Sequence, residues 1–254
     1  MRHRSLLVIS TVAIAFIAGC SAGSNGSTGS SGANGLQSKS GKQIVAAAVA
    51  ATEAQSSFHF VETAGSGASD VRIVGDVGVS SGEQHITVGN GTKNGHVTVL
   101  LYNKTAYFTG DLVGLEGFTG LTQKLASPLA GKWISVPSTS PSFSSLAGSL
   151  AVSTAAAQLV KLSGTLTRGD TSKAFGHESI AVKATQTSSS GSLSLTMFVA
   201  TSGASLPILV EGTTEVTGGT ARSVSARFSG WGEQVRVSAP TSAVPITAVK
   251  SLGG

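Results

Sequence analysis

The sequence predicts one α+β domain held behind an N-terminal export segment. Three observations carry this reading. An Ala-rich stretch of helix formers opens the folded part, two blocks of period-two alternation follow it, and no repeat of solenoid period runs through the chain. Only 11% of the 254 residues are charged, against about 25% in an ordinary soluble domain. The hydrophobic share of 40% excludes wholesale disorder, and the 33 glycines have no three-residue period, which excludes a collagen-type chain. The net charge of +5 comes from 17 basic and 12 acidic residues spread thinly. Without a clustered basic patch, nucleic acid is not an expected partner.

Taken in order, Arg2, His3 and Arg4 form a positive segment, followed by an uncharged apolar run over residues 6–16 (LLVISTVAIAF). That run is short of the ~20 residues a spanning helix needs and reads as the core of a secretory signal over residues 1–19. Cys20 is the only cysteine, so an internal disulfide and a Cys-based zinc site are excluded. Small residues before a Cys resemble the bacterial lipobox, in which the thiol is acylated and the Cys becomes the new N-terminus. Ile17 stands there in place of the commoner Leu. Cys20 is therefore the expected lipidation site, and its acyl chains (palmitate among them) are the expected attachment to the extracytoplasmic face of the cell membrane. Each buried methylene contributes ~0.8 kcal/mol to such an anchor. Loss of Arg2 and Arg4 with the signal removes part of the positive charge.

Residues 20–38 read as the acylated Cys and a flexible tether, since 21–35 (SAGSNGSTGSSGANG) holds no charge and no large apolar side chain. The folded domain is expected over 39–240. Ser40 and Gln43 have capping-box spacing ahead of the helical stretch 44–55. Alternation then marks strands around Phe58 and Phe60, Val71 and Ile73, Ile86 and Val88, and Val97, Val99 and Leu101, with a short strand over 105–108. Asn90-Gly91 and Asn94-Gly95 are turn signals. Leu112, Leu115, Leu121 and Leu125 recur at helical spacing over 111–127, loosened by Gly114, Gly117 and Gly120 and stopped by Pro128. A strand over 133–136 and a helix opened by Ser140-Pro141 come next, the latter with Phe143, Leu146 and Leu150 on its apolar face. The second block places strands around Ile180 and Val182, from Leu193 through Leu195 and Met197 to Val199, over 206–211 and over 224–228, with a last strand at Val235 and Val237. The Pro/Ser/Thr-rich residues 241–254 are expected to form a loose tail.

No constellation of ionisable groups suggests catalysis. His59, His85, His96 and His177 are isolated from one another and read as solvent-facing or hydrogen-bonded residues. Gly78-Val79-Ser80-Ser81-Gly82 matches the G-x-S-x-G nucleophile pattern but lies between two strand patterns, where it reads as a hairpin loop. Phosphate-loop and dinucleotide motifs do not occur. The sequence thus predicts no enzyme, no metal site and no cofactor.

Several segments together resemble the LppX/LprAFG family of actinobacterial lipoproteins, which share a fold with the LolA/LolB carriers. They are the helix 44–55, Ala106-Tyr107-Phe108-Thr109-Gly110, Gly131-Lys132-Trp133-Ile134-Ser135-Val136, the helix after Pro141, the stretch from Ala200-Thr201 to 206–211, and Phe228-Ser229-Gly230-Trp231-Gly232 with Val235, Val237 and Ala239-Pro240. Gly230 departs from the acidic residue often found at that point. The resemblance implies a strongly curved antiparallel sheet, a half-barrel, with helices packed on its concave face around acyl chains of a lipid or lipoglycan. Ile86, Val88, Val97, Val99, Leu101, Leu193, Leu195 and Met197 are then lining candidates, and Leu115, Phe118 and Leu121 lid candidates. A closed core without a cavity would use the same residues. The leading expectation is a membrane-anchored carrier of lipid or glycolipid, with an envelope transporter as candidate partner. The alternative is an envelope scaffold for protein interactions.

Overall fold

The computed structural model describes residues 33–66, 69–90 and 93–250. The signal, Cys20 and most of the tether lie outside the described residues. The first helix, α1 (Gly41–Glu53), starts where its sequence demands. Ser40 Oγ accepts from the Gln43 backbone N–H at 3.4 Å, and Gln43 Oε1 accepts from the Ser40 N–H at 3.0 Å. This reciprocal cap satisfies two N–H groups that the helix itself leaves unpaired. Ile44, Val45 and Ala48 form the buried face.

Five strands follow as a meander: β1 (Ser57–Ser66), β2 (Ser69–Gly78), β3 (Ser81–Asn90), β4 (Lys93–Tyr102) and β5 (Thr105–Gly110). The expected long helix is split into α2 (Leu112–Thr119) and α3 (Gln123–Ala126). Gly120 ends α2 at φ +71°, a conformation glycine adopts without a Cβ penalty. Next come β6 (Ile134–Pro137), α4 (Phe143–Ala147) and α5 (Val152–Ala155), which runs on into a π turn over Ala156–Val160. The helix expected from Pro141 begins two residues later and has five residues.

A second meander is built from β7 (Thr165–Ala174), β8 (His177–Ser188), β9 (Gly191–Ala200), β10 (Pro207–Val216) and β11 (Arg222–Ser229). A short β12 (Val244–Pro245) and α6 (Ile246–Lys250) end the described chain. All twelve strands join one sheet in the order β12-β6-β5-β4-β3-β2-β1-β11-β10-β9-β8-β7. Every pairing is antiparallel except β12 with β6. The sheet is open, with β7 and β12 at its edges. The two meanders meet where β1 pairs β11, with Phe60 opposite Phe228.

Helices lie against one face of this sheet, in two apolar clusters. α1 and α5 pack with Phe58, Phe60 and the inward residues of β8 to β11, while α2, α3 and α4 pack with the inward residues of β3 to β6. Ile73 touches both clusters. At the junction Phe58 lies 5.1 Å from Trp231 and 6.0 Å from Phe228, centroid to centroid, within the range of favourable aromatic pairing.

Four expectations require correction. Asn94-Gly95 is not a turn but part of β4. Gly95 is needed there because α2 docks on it: a Cβ at Gly95 would sit 2.2 Å from the Gly114 nitrogen, and one at Gly114 would sit 2.3 Å from the His96 carbonyl oxygen. Val235 and Val237 form no strand and lie in an irregular stretch between β11 and β12. The tether's last residues are docked: the Asn34 N–H donates to the Thr201 carbonyl at 3.0 Å, its side-chain amide donates to the Ala200 carbonyl at 2.8 Å, and Leu36 is fully buried. Within the tail expected to be loose, Val244 pairs with Ile134, and Ile246 and Val249 pack on the second cluster.

Candidate functional site

The register of the sheet collects the lining candidates on its helix-bearing face. One row crosses the strands as Val182, Met197, Val210, Ala226, Glu62, Ile73, Ile86 and Val97. The next runs through Ala184, Leu195, Gly212, Val224, Ala64, Val71 and Val88. Ile86, Val88 and Val97 from the first meander thus share a surface with Leu195 and Met197 from the second, although β1, β2, β10 and β11 lie between them. Val99 and Leu101 follow on the same face by alternation along β4. Leu193 is half-buried and belongs to neither cluster.

Burial along these rows is uneven. Val97, Val99, Ile86, Val88, Leu101 and Met197 are buried beneath helices, whereas Ala64, Val71, Ile73, Val224 and Leu195 in the middle are half-buried. Leu115 is fully buried, and Phe118 and Leu121 pack beside it on the second cluster. Asp111 fixes their segment: its two oxygens accept from the Gly114 N–H at 2.7 Å and the His96 N–H at 3.0 Å. Glu62 is the single acid in its row, and burial pushes its carboxyl above the ordinary value of 4.5.

Beside this face opens a cleft of about 560 Å³, within the ~300–1,000 Å³ range of small-molecule sites. The β2–β3 and β4–β5 turns supply Val79, Ser80, Asn103 and Lys104, β4 supplies Leu101, and α4, α5 and their link supply Phe143, Ala147, Gly148, Ala151 and Thr154. Leu101 is the one lining candidate from the sequence that reaches the cleft. The α5 wall was missed, although Val152, Ala155, Ala156 and Val160 carry the i, i+3, i+4, i+8 spacing that marks a helix face. A second hollow of about 450 Å³ lies over His96, Thr98 and Asp111.

A few other titratable groups are paired on the surface. His59 Nδ1 lies 2.8 Å from Asp76, and His85 Nε2 lies 3.1 Å from Glu83. Ser80 sits in the tight β2–β3 turn, with Val77 opposite Gly82. Among the described residues there is no group of three His, Cys, Asp or Glu placed to hold a metal, and no helix is long and apolar enough to cross a membrane.

An open, mostly antiparallel sheet with helices on one apolar face defines the class of fold. Among solved structures the chain is similar to LprF from Mycobacterium bovis, at 14% identity, covering 83% of this chain and 100% of that one with a TM-score of 0.49. It is also similar to the Mycobacterium tuberculosis lipoprotein LppX, at 15% identity, covering 78% and 99% with a TM-score of 0.43. Both names belong to the family the sequence resembles. No family model matches the chain, and no curated protein matches it.

Proposed function

We propose that the protein is an envelope lipoprotein, anchored through acylated Cys20, that binds and carries a lipid or lipoglycan. The observation that carries this reading is the cleft of about 560 Å³ floored by Leu101 and walled by Phe143, Ala147 and Ala151. Hydrocarbon entering it gains ~0.8 kcal/mol per methylene removed from water. In this reading the sheet curves around the ligand with the helices in its concavity. Ile86, Val88, Val97, Val99, Leu193, Leu195 and Met197 form the surface over which further chain length extends, and the segment bearing Leu115, Phe118 and Leu121 moves to admit it. An envelope transporter is the partner for loading or unloading. Catalysis has no part in it.

Native mass spectrometry of the full chain, purified from its own membrane, tests the proposal. A co-purifying amphiphile is expected in the wild type and its loss in Ala151→Phe, which fills the cleft. A wild-type protein free of amphiphile and cross-linked to one dominant protein partner would instead establish the scaffold reading.

A further inference from the structure

The cleft has an asymmetric charge. Its lining contains one charged side chain, Lys104, and no carboxylate. Among the described residues no ion pair engages Lys104, so its ammonium group is exposed at the rim with no countercharge of its own. The backbone gives an independent reason to notice this residue. Asn103 and Lys104 form the two-residue link between β4 and β5, with Tyr102 opposite Thr105, at φ +46° and +64°. A turn with both central residues at positive φ selects Asn-Gly, because the second position penalises a Cβ. Lysine holds that position here, in a chain that places glycine freely elsewhere. The Asn103 amide and the Ser80 hydroxyl lie on the same cleft lining and add hydrogen-bonding groups to the cation. Behind them stand Leu101, Phe143 and Ala147, a wall without charge.

From this arrangement we infer that the cleft selects an amphiphile with one anionic head, whose hydrocarbon lies against Leu101, Phe143 and Ala147 while its carboxylate or phosphate oxygens meet Lys104. This rests on the lipid-binding reading and narrows its ligand. A cation facing an anionic oxygen makes a charge-assisted hydrogen bond. Loss of such a bond reads as about a tenfold change in affinity.

The test uses the full chain reconstituted in phosphatidylcholine vesicles. It is titrated at pH 7.5 with a diazirine-bearing hexadecanoic acid and, separately, with the alcohol bearing the same chain, and labelled cleft peptides are read after irradiation. The wild type should be half-labelled by the acid at about tenfold lower concentration than by the alcohol. Lys104→Arg should keep that preference. Lys104→Gly should abolish it without lowering the melting temperature, since glycine relaxes the turn. The monododecyl ester of phosphoric acid, competing as well as the acid where inorganic phosphate does not, would assign recognition to the whole amphiphile rather than to a free anion. Equal labelling by acid and alcohol in the wild type, or an undiminished preference in Lys104→Gly, overturns the inference and leaves lipid binding standing. No labelling of the cleft by either probe overturns lipid binding itself.

Discussion

Glu62 sets a pH signature on the folded state. It lies on β1 between Ile73 and Ala226, in a row that is otherwise apolar, and burial raises its pKa from 4.5. A folded protein that holds this proton more tightly than the unfolded chain loses stability as pH rises. The contribution is fully present below pH 4.5, the unfolded value, and declines as pH climbs towards the raised folded value. Denaturant unfolding of wild type and Glu62→Gln should therefore diverge between pH 4 and pH 8, with the Gln variant gaining relative to the wild type as pH increases. A constant difference across that range would refute the assignment. Period two carries the face of Phe58 and Phe60 on to Glu62, but an acid at that position reads as the end of an apolar face rather than as a buried group. Leu36 shows the opposite failure: a single Leu after a glycine-serine run reads as tether until Asn34 is seen bonded to residues 200 and 201. Leu36→Ala should cost about 2–5 kcal/mol in thermal or chemical unfolding.

At the scale of elements, the parts with strong local signals were legible. The α1 start follows from Ser40 and Gln43 alone, and Ser40→Ala should cost about 1 kcal/mol. The strands whose apolar residues alternate came through for the same reason. β7 did not, because it is an edge strand exposed for most of its length and interrupted by a register shift between Arg168 and Thr171, so no alternating apolar face is written into it. The docking of α2 on β4 was hidden too. Gly95 and Gly114 look like a turn residue and a helix breaker in sequence, and their shared role is visible only when two backbones approach. Gly114→Ala should destabilise the domain by about 1–3 kcal/mol, through the clash with the His96 carbonyl. Helix propensity alone predicts a gain of about 1 kcal/mol from the same change. Equilibrium unfolding thus separates the two explanations by sign.

On the scale of the whole molecule, both meanders could be read from the sequence, but their joining could not. Strand pairing between neighbours in sequence needs only turns, whereas the β1–β11 pairing depends on which edges remain bare once each meander has formed. The candidate site shares that limit. The apolar rows were foreseeable strand by strand, yet their alignment across β1 and β11 is a consequence of register, and the cleft depends on a helix that the reading passed over. The tail is part of this larger structure. Removing residues 241–254 takes away the β12 partner of β6 together with Ile246 and Val249, and should lower the melting temperature by several degrees, about 2–4 °C for each kcal/mol lost in a domain of this size.

The seam between β1 and β11 also has a kinetic meaning. The Ser57 hydroxyl donates to the Glu233 carbonyl, 176 positions further along the chain. As the chain emerges N-terminus first, β1 waits with one edge bare until nearly all of the protein has been made. Long-range pairing of this kind places folding in the slow, millisecond-to-second regime of β-rich topologies. An unpaired edge is a template for association with other chains, so the nascent protein passes through a window in which its first strand invites the wrong neighbour.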